Sequence, residues 1–316
     1  MNSAFAANRR GILSMAGAMA CFVANDTVVK LVSASMPTAQ LIFLRGMLAT
    51  AIVLMAVHAS GASARLRDAV APGVIPRALA EATATVLYLS ALFRLPLANA
   101  AAINLSAPLF IVVLAVVLLR ERVGGSHWAA VCAGFVGVLL VVQPGLGGFN
   151  VYAIVCLVGA FFQAVRDLLT RRIAGDVPAV LITLTTSVAV TAVAGVLSLL
   201  EGWRAFGARE LGLLALAAAF LMGAYALIVD AMRHGEMSLV APFRYTGVLY
   251  AIVLGYIVWG DVPNRLAWGG IVLLVAAGLF VLYRERARAR IAPRAVGLRL
   301  TAARRPCSNP PASRGE

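Results

Sequence analysis

Three short runs of this chain set acid and base one helical turn apart inside otherwise apolar sequence. Asp26 precedes Lys30 by four residues, Arg77 precedes Glu81 by four, and Asp167 precedes Arg171 by four with Arg166 beside it. Residues four apart share a helix face, so each run can form an ion pair. A charge at bilayer depth costs about 2.5–3.5 kcal/mol on insertion scales, which makes each one a functional candidate. The spacing allows two chemistries. Each pair neutralises itself so that its helix can insert, or a carboxylate faces a water-filled path and changes partner.

Two guanidinium groups lack a partner in their own run. Arg45 stands in T-A-Q-L-I-F-L-R-G and Arg244 in A-P-F-R-Y-T. A guanidinium in lipid must meet a carboxylate, a carbonyl dipole or an anionic ligand. Arg45 is near enough to the end of its run to snorkel. Arg244 is expected to meet a substrate or a switching carboxylate, with a static tie to Asp26 or Asp167 as the alternative. Asn25, Asn104 and Gln163 add neutral polar groups, and Tyr88 and Tyr245 either pack helices or stack on a planar ligand ring. Pro108 and Pro242 remove backbone donors and can kink their helices.

The elements that must carry these residues are membrane spans. Hydrophobic residues make up 62% of the 316 and charged residues 13%, and the mean hydropathy is +0.92. A soluble domain averages about 45–50% apolar and about 25% charged residues, so lipid is the solvent here. A span needs about 20 apolar residues. Ten such stretches are expected at 11–31, 39–58, 74–94, 98–119, 126–143, 151–171, 179–199, 210–231, 237–259 and 266–283.

The second five stretches repeat the first five. Asp26 matches Asp167, Lys30 matches Arg171 and Pro37 matches Pro178 at an offset of 141 residues, while Glu121 matches Asp261, Trp128 matches Trp268 and Asn104 matches Arg244 at 140. Five is odd, so the two copies must lie in opposite orientations. Inverted repeats with interrupted helices in both halves surround a central site in many secondary transporters. The fold class is therefore all-α integral membrane, with ten helices as two inverted five-helix repeats over 11–143 and 151–283. A short N-terminal segment, 1–10, precedes them and a basic tail, 284–316, follows.

Charge sets the orientation and excludes some functions. The net charge is +14, but nine of the arginines lie beyond residue 283, in a Pro-containing segment expected to be disordered. No aromatic follows Tyr283, which argues against a nucleic-acid arm. Arg9, Arg10, Arg65, Arg67, Arg120, Arg122, Arg171, Arg172 and Arg233 fall on one side, with Arg94, Arg204, Arg209 and Arg265 on the other. The positive-inside rule then places both termini in the cytoplasm. The first stretch is a signal-anchor rather than a cleaved leader, because it runs on to Leu31 and has a counterpart in the sixth. Scattered His58, His127 and His234 make no metal site, Cys21, Cys132, Cys156 and Cys307 form no C-x-x-C, and neither H-E-x-x-H nor a Walker loop occurs. No cofactor and no enzymatic activity are expected.

The stretches A-P-L-F-I-V-V-L-A-V-V-L-L-R-E-R-V (107–123) and V-A-P-F-R-Y-T-G-V-L-Y-A-I-V-L-G-Y-I-V-W-G-D-V-P (240–263) resemble the drug/metabolite transporter superfamily, with two EamA-type repeats. The family's Gly-Glu at the ends of spans 4 and 9 reads here as Arg120-Glu121 and Gly260-Asp261. N-D-T-V-V-K (25–30), L-I-F-L-R-G (41–46), V-R-D-L-L-T-R-R (165–172) and P-F-R-Y-T (242–246) resemble a branch containing riboflavin and S-adenosylmethionine uptake proteins. The resemblance implies a multi-pass carrier of the bacterial inner membrane for a small polar metabolite. It implies a partner list of substrate, lipid and coupling protons. Uptake is the expected direction, with export of amino acids or other metabolites as the alternative; an embedded enzyme or a channel ranks lower. The expected site is Asn25, Asp26, Lys30, Arg45, Glu81, Tyr88, Asn104, Gln163, Arg166, Asp167, Arg244 and Tyr245, with Pro108 and Pro242 as hinges.

Overall fold

The computed structural model describes residues 2–120, 124–143, 150–171, 173, 177–234, 237–281 and 283. Glu121, the basic tail from 284 and Cys307 lie outside the described residues. Among those described, every regular element is helical. The first five spans are Asn2–Val32, Thr38–Ala59, Val74–Leu92, the broken Leu97–Asn104 and Ala107–Leu119, and Gly125–Val142. The second five are Val151–Thr170, Ala179–Glu201, Ala208–His234, the broken Met237–Val240, Ala241–Tyr245 and Thr246–Trp259, and Arg265–Val281. Seven are long and apolar enough to cross a bilayer unaided, and spans 5 and 10 are shorter apolar helices. Span 3 carries Arg77 and Glu81 in its first two turns. A 3-10 segment, Ala62–Val70, stands between spans 2 and 3 and buries no residue.

Packing runs mostly across the repeats rather than within them. Span 1 lies along span 8, span 3 along span 6, and span 2 along span 7. Spans 4 and 9 also touch, as do spans 1 and 9 and spans 4 and 6. Exchanging each span for its counterpart five later maps this set of contacts onto itself. The protein is therefore an all-α membrane fold of ten helices in two inverted repeats.

Small residues permit the closest crossings. A Cβ added at Gly137 would lie 2.9 Å from the Gly270 carbonyl, and one at Gly270 would lie 2.5 Å from the Gly137 carbonyl, so spans 5 and 10 cross backbone to backbone. The neighbouring ends of these spans are stitched by Gln143 and Asn264, whose side-chain amides exchange hydrogen bonds at 2.8 and 3.1 Å. Glu201, ending span 7, accepts the Ala39 N–H at 2.8 Å and so caps span 2.

The spans that carry Pro108 and Pro242 are both interrupted. Span 4 breaks at Leu105 and Ser106, and its second helix begins with Pro108 at an N-terminal position. Span 9 passes through one 3-10 turn, Ala241–Tyr245, with Pro242 likewise near its start. Proline is tolerated at such positions because the first helical N–H groups have no partner in any case.

Candidate functional site

The site is built around the middle of span 1. Asn25 is 2% exposed and its neighbour Asp26 half-buried. Tyr88 from span 3 donates its hydroxyl hydrogen to Asp26 Oδ2 at 2.7 Å, and Asn25 Nδ2 donates to Asp26 Oδ1 at 3.0 Å. Tyr88 is brought this close by Gly159 of span 6, where a Cβ would stand 3.2 Å from the Tyr88 backbone nitrogen. From span 2, Arg45 Nη1 donates to Asn25 Oδ1 at 3.2 Å. Asn25 therefore uses both ends of its amide, one toward the guanidinium and one toward the carboxylate.

A second cluster joins spans 3, 6 and 7. Arg166 Nη1 lies 2.5 Å from Glu81 Oε2, and its Nη2 lies 2.9 Å from Asp167 Oδ1. Arg77 Nε donates to Thr170 Oγ1 at 3.2 Å, and its Nη1 donates to Thr186 Oγ1. Tyr225 of span 8 is within electrostatic reach of Arg45 in the first cluster and of Arg77, Glu81 and Arg166 in the second. Its ring meets Phe22 edge-on at 5.5 Å between centroids.

The four-residue pairs expected from spacing are not the pairs that form. Lys30 donates to the Leu95 carbonyl and sits 4.9 Å over the Trp259 ring, leaving Asp26 to Tyr88 and Asn25. Glu81 takes Arg166 instead of Arg77. Asp167 takes its neighbour Arg166, and Arg171 is exposed. The reason is common to all three. In each case a partner other than the residue one turn away is available, from a neighbouring helix for Asp26 and Glu81 and from the adjacent residue for Asp167, and burial favours the pair with more hydrogen bonds.

The remaining expected residues are more scattered. Asn104 and Gln163 are half-buried and make no side-chain hydrogen bond among the described residues. Arg244 is exposed and likewise has no hydrogen-bond or ion-pair partner there, so the static tie to Asp26 or Asp167 is absent. Tyr245 is buried against Gly278 of span 10, a packing position. Two grooves, of about 380 and 230 Å³, run along span 9 and are lined almost wholly by apolar side chains such as Ile252, Tyr256, Val248 and Val275. Neither contains the charged clusters.

Several participants gave no signal in spacing. Tyr225 is a lone tyrosine in an aliphatic span, and Thr170 and Thr186 look like ordinary helix-facing threonines. Asp230 near the end of span 8 binds Arg10 through Nε at 3.1 Å and Nη2 at 2.6 Å, and accepts from Ser14 at 2.7 Å. That fork ties span 1 to span 8 at one end of the molecule. A carboxylate that changes guanidinium partner could open or close such a tie.

Residues 9–143 and 150–283 each match the EamA-like transporter family. The chain belongs to that family. It is 28% identical over 280 residues to the pseudopaline exporter of Pseudomonas aeruginosa, covering 85% of this chain and 94% of that one. A riboflavin transporter of Rhizobium johnstonii is 27% identical over 216 residues, 68% of this chain and 72% of the relative. An S-adenosylmethionine uptake transporter of Rickettsia bellii is 26% identical over 196 residues, 60% and 65%. One solved crystal structure superposes with a TM-score of 0.60 at 21% identity, over 88% of this chain and 99% of the other, and shares the fold. The chain is thus a multi-pass membrane transporter of the drug/metabolite superfamily, built from two EamA-type repeats.

Proposed function

We propose that the protein is a secondary carrier of the bacterial inner membrane that takes up a small polar organic metabolite by alternating access. The repeats would be 11–143 and 151–283, with both termini and the 284–316 tail cytoplasmic. The observation that carries the reading is the Glu81–Arg166 ion pair, which spans the two repeats at 2.5 Å with Arg77 one turn away on span 3. A carboxylate between two guanidinium groups can exchange partner as the repeats rock. Asp26, held by Tyr88 and Asn25, is the proposed site for a coupling proton.

Counterflow of labelled substrate in proteoliposomes tests the carrier reading. A carrier accelerates entry of label against an internal unlabelled pool, and a channel or enzyme does not. Riboflavin is the first substrate to try and S-adenosylmethionine the second, by rescue of auxotrophic growth. Export is the second reading, favoured by the pseudopaline exporter's coverage of 85% of this chain. Everted vesicles that fill faster than right-side-out vesicles would establish export.

A further inference from the structure

We infer that the transported molecule carries a carboxylate and that Arg45 is the residue that receives it. The inference rests on the carrier reading above and names the substrate class for that site. Arg45 is 6% exposed in the interior of a membrane protein. Among the described residues it makes one hydrogen bond, from Nη1 to the Asn25 amide oxygen at 3.2 Å, and its buried Nε has no partner. A guanidinium offers five N–H donors in a planar fork, so most of this recognition capacity is unfilled.

The nearest acid does not fill it. Asp26 has one oxygen taken by Tyr88 and the other by Asn25 Nδ2. Asn25 thereby bridges carboxylate and guanidinium, which interact electrostatically but form no direct ion pair among the described residues. The second cluster provides the contrast. There Arg166 also keeps a buried Nε without a partner among the described residues, but it meets two carboxylates directly at 2.5 and 2.9 Å, which Arg45 does not. A buried charge left without a direct counter-ion is costly, and its retention is explained when a mobile anion completes it. The Nε edge of a guanidinium matches a carboxylate through two parallel hydrogen bonds. Tyr225, within electrostatic reach of Arg45, gives that anion an aromatic neighbour. Between the two substrates named above, this places S-adenosylmethionine, which has a carboxylate, ahead of riboflavin, which has none.

Proteoliposomes bearing the full chain, incubated with a total small-molecule extract of bacterial cells, provide the test. Compounds enriched over empty liposomes are identified by mass spectrometry. The expected result is that enriched compounds carry at least one carboxylate, and that Arg45→Gln lowers their enrichment by about tenfold to a hundredfold, the range of a lost charge-assisted hydrogen bond. Arg45→Lys should recover little of it. Enrichment of compounds lacking a carboxylate overturns the inference and leaves the carrier reading standing, as does undiminished enrichment in Arg45→Gln. Enrichment of nothing by the wild-type chain overturns both. The identity of the wild-type cargo decides the matter without any variant.

Discussion

Arg166 Nη1 stands 2.5 Å from Glu81 Oε2, and the two residues belong to different repeats. Both side chains are 13% exposed. Removing one member of a buried pair typically costs 3–5 kcal/mol, because the other charge is left uncompensated. Glu81→Gln is expected to lower the thermal unfolding midpoint of the detergent-purified protein and to slow transport. Pairing it with Arg166→Gln should restore part of the stability but not the transport. An unchanged midpoint in Glu81→Gln would show that the pair does not tie the repeats together.

Asp26 and Asp167 occupy matched positions in sequence but have unlike surroundings. Asp26 accepts from a tyrosine and an amide, whereas Asp167 is paired with Arg166. Asp26→Asn and Asp167→Asn should both insert and both impair transport, with Asp26→Asn the more severe, by an order of magnitude or more if a charge-assisted bond of about 1.5–3 kcal/mol is lost. Initial uptake rates in vesicles, divided by protein amount, measure this. Normal rates in both variants would leave the carboxylates with a purely structural role.

Arg244 follows Pro242 in the interrupted part of span 9 and has no hydrogen-bond or ion-pair partner among the described residues. Its donors are free for a ligand or for a carboxylate that arrives in another conformation. Arg244→Lys keeps the charge and loses the planar fork, so uptake should fall about tenfold or more while expression holds. Wild-type rates would reduce Arg244 to a generic positive charge.

Orientation has a simple check. A reporter active only in the periplasm, fused at residue 284 or beyond, should be silent, because the arginine bias places that end in the cytoplasm. Activity from such a fusion would invert the assignment of the two faces.

Much of the architecture could be read from residue identities. The 141-residue offset between Asp26 and Asp167 marks the duplication, and the span contacts obey it. Pro108 and Pro242 mark the two interruptions that the helices show. The pairing of charges could not be read the same way. Spacing reports which side chains share a face of one helix, as Arg77 and Glu81 do. It says nothing of which face of span 6 lies opposite, and that face brings Arg166. Tyr225 has no charged neighbour along its own span, so only the approach of spans 1, 2, 3 and 6 gives it a role.

The reciprocal packing of the spans has a consequence for biogenesis. Spans 1, 2 and 3 find their main partners in spans 8, 7 and 6, so the earliest-synthesised helices wait longest for theirs. Until the ribosome has delivered residues beyond about 208, where span 8 begins, span 1 has no permanent mate and Asp26 and Arg45 sit in a half-built bundle. Assembly is then a late zippering of two helix sets rather than a sequence of finished units. Premature termination after the first repeat would yield inserted but unassembled helices, a natural target for membrane quality-control proteases.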